Sequence, residues 1–271
     1  LFYRDLLTAT YLNNVGTVAQ YLNGLNDVYH QSLQEAGVTA AGLASGDVQS
    51  CGGDLLASIN SVAQGQCTWA KVTFSNARRD GGDHRDSAEG LAMGQQRKIG
   101  DNLYLGFAAN YTDTQFSSPV VFGQGARAGA AGIVKYTDDR TFASLSVLAS
   151  YGWMNATRQI AQPFAAGVIQ EARSDQENLV VDTRLRIGRR HEAKPFDLIA
   201  MVDFGMPVVH QYGYVEKGPS TYNLLVRPKT NVLFDVHPQV QMGVHKQISG
   251  VNIRTIAKVG RRFAFRDLVA K

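Results

Sequence analysis

The sequence predicts an all-β protein, an antiparallel up-and-down transmembrane β-barrel, on three observations. From Thr68 onward apolar residues recur at every second position almost to the end of the chain. The alternating runs exceed the roughly 5 to 6 residues of an average soluble strand and match the about 9 to 11 that a tilted strand needs to cross a bilayer. The face opposite the apolar one carries arginines and lysines beside alanines and glycines. Charged groups need water or partners, and small ones leave room for an object inside, so this face suits a wet, partly occupied interior.

Composition permits this and excludes the helical alternative. The chain has 271 residues, 44% of them hydrophobic, which excludes wholesale disorder. Its mean hydropathy of -0.17 is that of a polar chain, and nowhere do about 18 apolar residues run together, so no helical membrane span is encoded. The formal net charge of +4 is spread along the chain without a basic patch interleaved with aromatics, so nucleic acid is not an expected partner. The chain opens Leu1-Phe2-Tyr3-Arg4-Asp5 without an initiator Met, a basic n-region or an apolar h-region. It carries no targeting signal in this form and is expected to come from a longer precursor.

Residues 1–67 read as a helical linker or plug. Leu12, Val15, Ala19, Leu22 and Leu25 recur at three- and four-residue spacing, one apolar stripe along a helix that stops by Gly37; Leu55, Ile59 and Val62 repeat this briefly. Cys51 and Cys67 stand close together in a Gly- and Ser-rich stretch with no His nearby, a poor metal or redox constellation. A local disulfide in an oxidising compartment fits them better, with unpaired thiols as the alternative.

Residues 68–271 read as the barrel. In 102–112, Leu103, Leu105, Phe107, Ala109 and Tyr111 point one way and Asn102, Tyr104, Gly106, Ala108, Asn110 and Thr112 the other. In 179–190, Leu179, Val181, Leu185 and Ile187 oppose Asp182, Arg184, Arg186 and Arg190. In 231–245, Val232, Phe234, Val236, Val240, Met242 and Val244 oppose Asn231, Asp235, His237, Gln239, Gln241 and His245. In 251–262, Val251, Ile253, Ala257 and Val259 oppose Asn252, Arg254, Lys258 and Arg262. The polar set Asp182, Arg184, Arg186, Asp235, His237, Arg254, Lys258 and Arg262 is therefore expected to face the lumen. About ten such segments begin near residues 68, 86, 101, 125, 140, 176, 195, 212, 230 and 250, joined mostly by short turn signals such as Ile99-Gly100-Asp101-Asn102 and Thr137-Asp138-Asp139-Arg140. Trp69, Tyr151, Trp153, Tyr212 and Tyr214 lie near strand ends, where interfacial girdles would place them.

No constellation of catalytic residues, metal ligands or cofactor-binding residues emerges. Asp80, Asp83, His84 and Asp86 crowd one turn, but acidic residues and His are also what a solvated turn contains, and no second cluster faces them. His84-Arg85-Asp86 spells a kinase-like triplet without the Gly-rich loop or metal-binding Asp that would give it meaning. His237 and His245 share a face, but eight residues at about 3.3 Å each separate them too far to hold one metal. No enzymatic activity, cofactor or metal is therefore expected.

Several stretches together resemble the β-domain of autotransporters, the type V secretion proteins. The run Thr68-Trp69-Ala70-Lys71-Val72, the small-residue segment with Ala88, Gly90, Ala92 and Gly94, and then Gly100-Asp101-Asn102-Leu103-Tyr104-Leu105-Gly106 resemble that domain's opening: a Trp-led strand, a Gly-rich strand and a G-d-x-x-x-x-G hairpin. Gly213-Tyr214-Val215-Glu216-Lys217-Gly218, followed by Tyr222, Leu224 and Val226, is similar to the family's G-[FY]-x-E-x-G segment and the strand it introduces. Residues 14–25 resemble its linker helix, and Leu43-Ala44-Ser45-Gly46 its L-S-G-E step, with Asp47 where Glu is usual. The family-motif positions are thus Trp69, Gly94, Gly106, Glu216 and Gly218.

The resemblance implies a twelve-stranded outer-membrane barrel with an N-terminal helix in or near the lumen, exporting an upstream passenger to the cell surface. The implied partners are outer-membrane lipid, the passenger, the barrel-assembly machinery and periplasmic chaperones. Two features depart from the pattern. The chain ends Asp267-Leu268-Val269-Ala270-Lys271 rather than in an aromatic residue, so with about ten strands visible the last two are expected just downstream. The cysteine pair is the other departure. Asn13-Asn14 could suggest the family's passenger-releasing Asn cyclisation, but more than fifty residues separate it from Trp69, and an exposed pair is the better reading. The alternatives to a translocator are a passenger-less outer-membrane channel or adhesin barrel and a soluble β-protein.

Two outcomes test this reading. If Cys51 and Cys67 are bonded, thiol labelling of the denatured, unreduced protein gives almost no signal, and stoichiometric labelling of both refutes the bond. Phe234→Arg should obstruct membrane assembly, since an Arg at a lipid-facing midplane position costs about 2 to 4 kcal/mol, whereas Gln241→Arg should be tolerated; heat-modifiable migration of the two variants compares them.

Overall fold

The computed structural model describes residues 66–79, 84–118, 120–138, 140–161, 169–193, 196–218, 223–248 and 251–266. The helices read over 12–25 and 55–62, Cys51, Asn13-Asn14, the step from Leu43 to Asp47, and the turn residues Asp80 and Asp83 lie outside them.

The described residues form an antiparallel sheet in which each strand pairs with its sequence neighbour. Its first seven strands are β1 (Cys67–Arg79), β2 (His84–Lys98), β3 (Leu103–Ser117), β4 (Val121–Thr137), β5 (Thr141–Ala161), β6 (Ile169–Ala193) and β7 (Phe196–Gln211). Between β7 and the next long strand lies a small hairpin, β8 (Tyr214–Val215) with β9 (Leu225–Val226), which forms a separate two-stranded sheet. The main sheet then continues through β10 (Lys229–Ile248), which pairs β7 on one side and both β11 (Val251–Gly260) and β12 (Phe263–Arg266) on the other.

β11 and β12 are one strand in two pieces, because both keep the same register against β10: Gln239 faces Gly260 and Val236 faces Phe263. The break lies opposite Pro238, which has no N–H to give the ladder, although Arg261 N–H still reaches the Pro238 carbonyl at 3.2 Å. Pro207 sits in the matching gap of the β7–β10 ladder, where pairing stops at Val232–Val208 and resumes at Asp235–Gly205 in unchanged register.

Nine of the ten segments predicted from alternation are long strands of this sheet. The tenth, expected from about residue 212, is a correction: Tyr214 and Val215 pair only with Leu225 and Val226. The strand that the motif around Glu216 introduces is thus two residues long, and the next long strand starts at Lys229. Gly213, Gly218, Pro219 and Pro228 crowd this stretch, so a few alternating residues there cannot propagate a ladder.

Burial is inverted relative to a protein built for water. One face of the sheet carries Arg127, Lys135, Arg184, Asp182, Asp203 and Asp235, each no more than 7% exposed. The other carries Phe74 at 75%, Phe107 at 63%, Leu145 at 49% and Val240 at 46% exposure. The buried polar face is called the inner face below and the apolar one the outer face. On β3 the outer face is apolar from Leu103 to Tyr111 and then turns to Asp113, Gln115 and Ser117; on β6 it is apolar from Ile187 to Leu179 and then turns to Glu177, Asp175, Arg173 and Glu171. The 21 and 25 residues of β5 and β6 therefore exceed one apolar span and run on as polar extensions.

The β4–β5 turn shows why these strands reverse where they do. The Asp138 carboxylate accepts the Thr141 N–H at 2.6 Å and the Arg140 N–H at 2.8 Å, an Asx turn that satisfies two backbone donors left outside the ladder. Those backbone bonds, Thr141 first and then Arg140, hold the Asp138 carboxyl below its ordinary range. A carboxyl depressed in the folded state stabilises above its unfolded value of about 3.9, and that contribution fades as pH falls through the folded value. Asp138→Ala should therefore lower the temperature at which the folded band disappears at pH 7, and the gap from wild type should close in acid. Asp138→Asn, which keeps the acceptor oxygen, should lose less at pH 7.

Candidate functional site

The inner face is the chemically rich surface, and its geometry follows from strand parity. Antiparallel pairing puts Tyr104, Lys135, Ser144, Arg186, Asp203 and His237 on one register line across β3, β4, β5, β6, β7 and β10. Arg186 grips Asp203 with two bonds, Nε to Oδ1 at 2.6 Å and Nη2 to Oδ2 at 2.8 Å, and Gln239 Nε2 donates to Oδ2 of the same carboxylate at 2.7 Å. Such forked, charge-assisted bonds are the strong kind, and they let charges stay ionised away from bulk water.

A second cluster lies next to this line. Arg184 reaches Asp182 two residues earlier on its own strand at 3.3 Å, and Asp235 on β10 at 3.5 Å. The second contact skips over β7, which is possible because Gly205 lies between: a Cβ there would meet Asp235 Oδ2 at 2.5 Å and Arg184 Nη2 at 3.0 Å. Arg127 crosses β5 in the same way, donating to Ser150 Oγ at 3.1 Å and to Asn178 Oδ1 on β6, with Gly152 beneath its guanidinium. Trp69 lies over Gly94, where a Cβ would stand 2.6 Å from its ring, and Ile133 leans over Gly106 in the same manner. Glycine on one strand thus makes room for a large inner-face side chain from its neighbour.

At the polar end of β5 and β6 the small hairpin is locked to the same face. Glu216, 3% exposed, accepts Arg158 Nε at 2.9 Å and Nη2 at 2.5 Å, and its Oε2 also accepts the Leu224 N–H at 2.9 Å. Lys217 and Arg173 exchange backbone bonds at 2.7 and 2.8 Å, joining the hairpin to β6. Gly218 packs so closely on the Glu171 carbonyl that no side chain fits there. The glycines and glutamate of this motif are therefore contact residues.

The predicted polar residues fall as follows. Asp182, Arg184, Arg186 and Asp235 lie in the two clusters, His237 lies half-buried on the Asp203 line, and Arg262 approaches Asp235 at 3.8 Å from a half-exposed position. Arg254 and Lys258 stand opposite His245 and Gln241 in the ladder, and their side chains lie outside the described ones. Sequence reading missed Arg127, Lys135, Arg158 and Asp203 as members of this face, and placed Gln239 on it correctly. A usable signal was present: Arg127 and Lys135 share one parity within the small-residue run of β4, where any charged residue must point inward.

The girdle reading needs partial correction. Tyr151, Trp153 and Tyr212 cluster on the outer face together with Tyr111 and His210, their ring centroids 4.8 to 6.4 Å apart, at the edge of the apolar band. Trp69, however, is on the inner face, because the neighbouring Val72 and Phe74 take the outer parity, and Tyr214 is buried in the hairpin at 8% exposure.

Comparison with known proteins agrees with this geometry. The family model for the autotransporter beta-domain matches residues 68–268. The fold is similar to the β-domain of the Bordetella autotransporter BrkA, at TM-score 0.58 and 16% identity over 75% of this chain and 80% of that one. It is also similar to the translocator domain of NalP from Neisseria meningitidis, at TM-score 0.59 and 12% identity over 86% and 78%. No curated protein sequence matches the chain. With an inverted sheet and a family match spanning most of the sequence, the chain belongs to the autotransporter β-domain family, a translocator that anchors in the bacterial outer membrane and exports an N-terminal passenger to the cell surface.

Proposed function

We propose that residues 68–271 form most of the wall of an outer-membrane barrel whose inner face lines a lumen, and that residues 1–67 form a linker or plug with a helix in or near that lumen. The inverted burial carries this reading: charges that would avoid a dry core are buried on one face, while large apolar side chains crowd the other. In a membrane both arrangements are favourable at once. Asp182, Arg184, Arg186, Asp235, His237, Arg254, Lys258 and Arg262 then keep the passage wet, which suits an extended passenger that must not stick to the wall.

Orientation follows from connection lengths. Residues 99–102, 138–140, 194–195 and 249–250 are all short connections at one end, while the other end has the short 80–83 and 118–120 together with both long ones, 162–168 and 212–228. Outer-membrane barrels keep short turns in the periplasm, so the end holding the β8–β9 hairpin and the polar extensions of β5 and β6 faces outward. Cys67 opens β1 at the parity of Trp69, and a Cys51–Cys67 bond would staple the linker to the periplasmic start of the wall, worth about 3 kcal/mol in the chain-entropy model. The apolar outer face also accounts for the need for periplasmic chaperones and assembly machinery, since it would aggregate in water before insertion.

The test uses the full-length protein as its gene encodes it, with an epitope in the passenger. Protease added to intact cells should reach the epitope while the barrel remains heat-modifiable; an epitope retained in the periplasm behind a folded barrel would sink the reading. Glu216→Ala strands the Arg158 charge in a buried place, a loss of about 3 to 5 kcal/mol for a broken buried pair. It should expose the hairpin to cleavage near residues 212–228, and Arg158→Met with Glu216→Gln should recover part of the protection.

A further inference from the structure

We infer that the inner face binds one small monovalent anion, a halide such as chloride, in a recess over Ser144 between Lys135 and Arg186. The site goes beyond passenger export, and it rests on the reading above only in taking the inner face to be reached by water and its ions.

The recess follows from register. Lys135 on β4 pairs with Ser144 on β5, and Ser144 pairs with Arg186 on β6, so neighbouring side chains of this row start about 5 Å apart. A short serine thus stands between two long cations, and it is buried with Lys135. Arg186 turns its Nε and Nη2 the other way, to the Asp203 carboxylate on β7. Tyr104 of β3 flanks Lys135 on the side away from Ser144. One step along β5, Phe142 lies over Gly188, where a Cβ would stand 2.2 Å from its ring, and this gives the recess one apolar side.

The charge in the recess is unbalanced. Lys135 is 3% exposed, yet its Nζ has no hydrogen-bond partner among the described residues. An ammonium has three donors and is costly to leave buried without acceptors. The carboxylate of its own row is committed, because Asp203 receives Arg186 twice and Gln239 once. Asp182 and Asp235 are engaged by Arg184, and Glu216 by Arg158. Lys135 and Arg186 against Asp203 leave this row one positive charge, with His237 neutral. The acceptor that matches is monovalent and small: it accepts from the Lys135 ammonium and the Ser144 hydroxyl, while Arg186 adds its field from the far side. A halide makes no directional demand on its donors, so a cation and one hydroxyl suffice. Beside the Phe142 ring, where the dielectric is low, the attraction is stronger than in water.

The experiment uses the full-length protein, folded and heat-modifiable in a neutral detergent, and titrates it with chloride while the line width of the chloride nuclear resonance is recorded. Wild type should broaden the line saturably, and bromide should reverse the broadening. Lys135→Met, close in shape but neutral, should abolish the saturable part. Ser144→Ala should weaken the affinity roughly ten-fold, the order expected for one hydrogen bond to a charged partner. Lys229→Met, at an exposed lysine on the opposite end of the sheet, should change nothing. If Lys135 is merely hydrated, wild type and Lys135→Met broaden the line equally, which overturns the site. Should Lys135→Met fail to fold, Ser144→Ala decides, since it removes only a hydroxyl: an unchanged affinity refutes the recess. Broadening that is absent while the passenger epitope stands at the cell surface overturns the site and leaves the translocator reading intact. Saturable, Lys135-dependent broadening with the epitope retained in the periplasm does the reverse.

Discussion

A peptide group that meets lipid must find its hydrogen bond within the chain, because no water is there to offer one. The whole architecture follows from that constraint. Each strand pairs with its neighbour in sequence through ladders of ten or more residues along most of the sheet, and register is kept even where Pro207 and Pro238 remove a donor. Short connections suffice because adjacent antiparallel strands end where the next begins, and the Asp138 turn uses a side chain to satisfy the donors the ladder cannot. With the backbone so occupied, side chains alone differ between the two faces.

Those side chains then sort by solvent. The outer face can be apolar without penalty only where lipid covers it, and its band ends in the aromatic cluster of Tyr111, Tyr151, Trp153 and Tyr212. Inside, long cations reach across strands to distant oxygens, over glycines that leave their path open: Arg184 over Gly205, Arg127 over Gly152. The same device admits Trp69 above Gly94. The inner face is therefore tied together by forks and crossings that span two or three strands.

Much of this is legible in the sequence, and the misreadings have physical causes. Long alternation identified nine strands because a half-lipid, half-water strand must repeat every two residues, and no turn can imitate that over a dozen positions. It failed at 212–226, where a handful of alternating residues between Gly213 and Pro228 is equally compatible with a two-residue hairpin. Trp69 was read as interfacial because tryptophan favours that depth, but its parity with respect to Val72 and Phe74 decided otherwise. The charged set was recognised on β6, β10 and the last strand, where several charges alternate with large apolar residues. It was missed on β4, where the alternation is between small residues and carries little contrast.

By itself, then, the sequence determined the period, the number of long strands within one, the two faces and their opposed solvents, because each is a property of residues a few positions apart on one strand. Tertiary structure alone decided which charges meet: that Asp203 belongs to Arg186 and Gln239, that Arg184 bridges to Asp235 past Gly205, and that Glu216 closes on Arg158 from a hairpin 58 residues away. Those pairings depend on strand register and on the path over glycine, and register is set by the whole ladder rather than by any one segment of the chain.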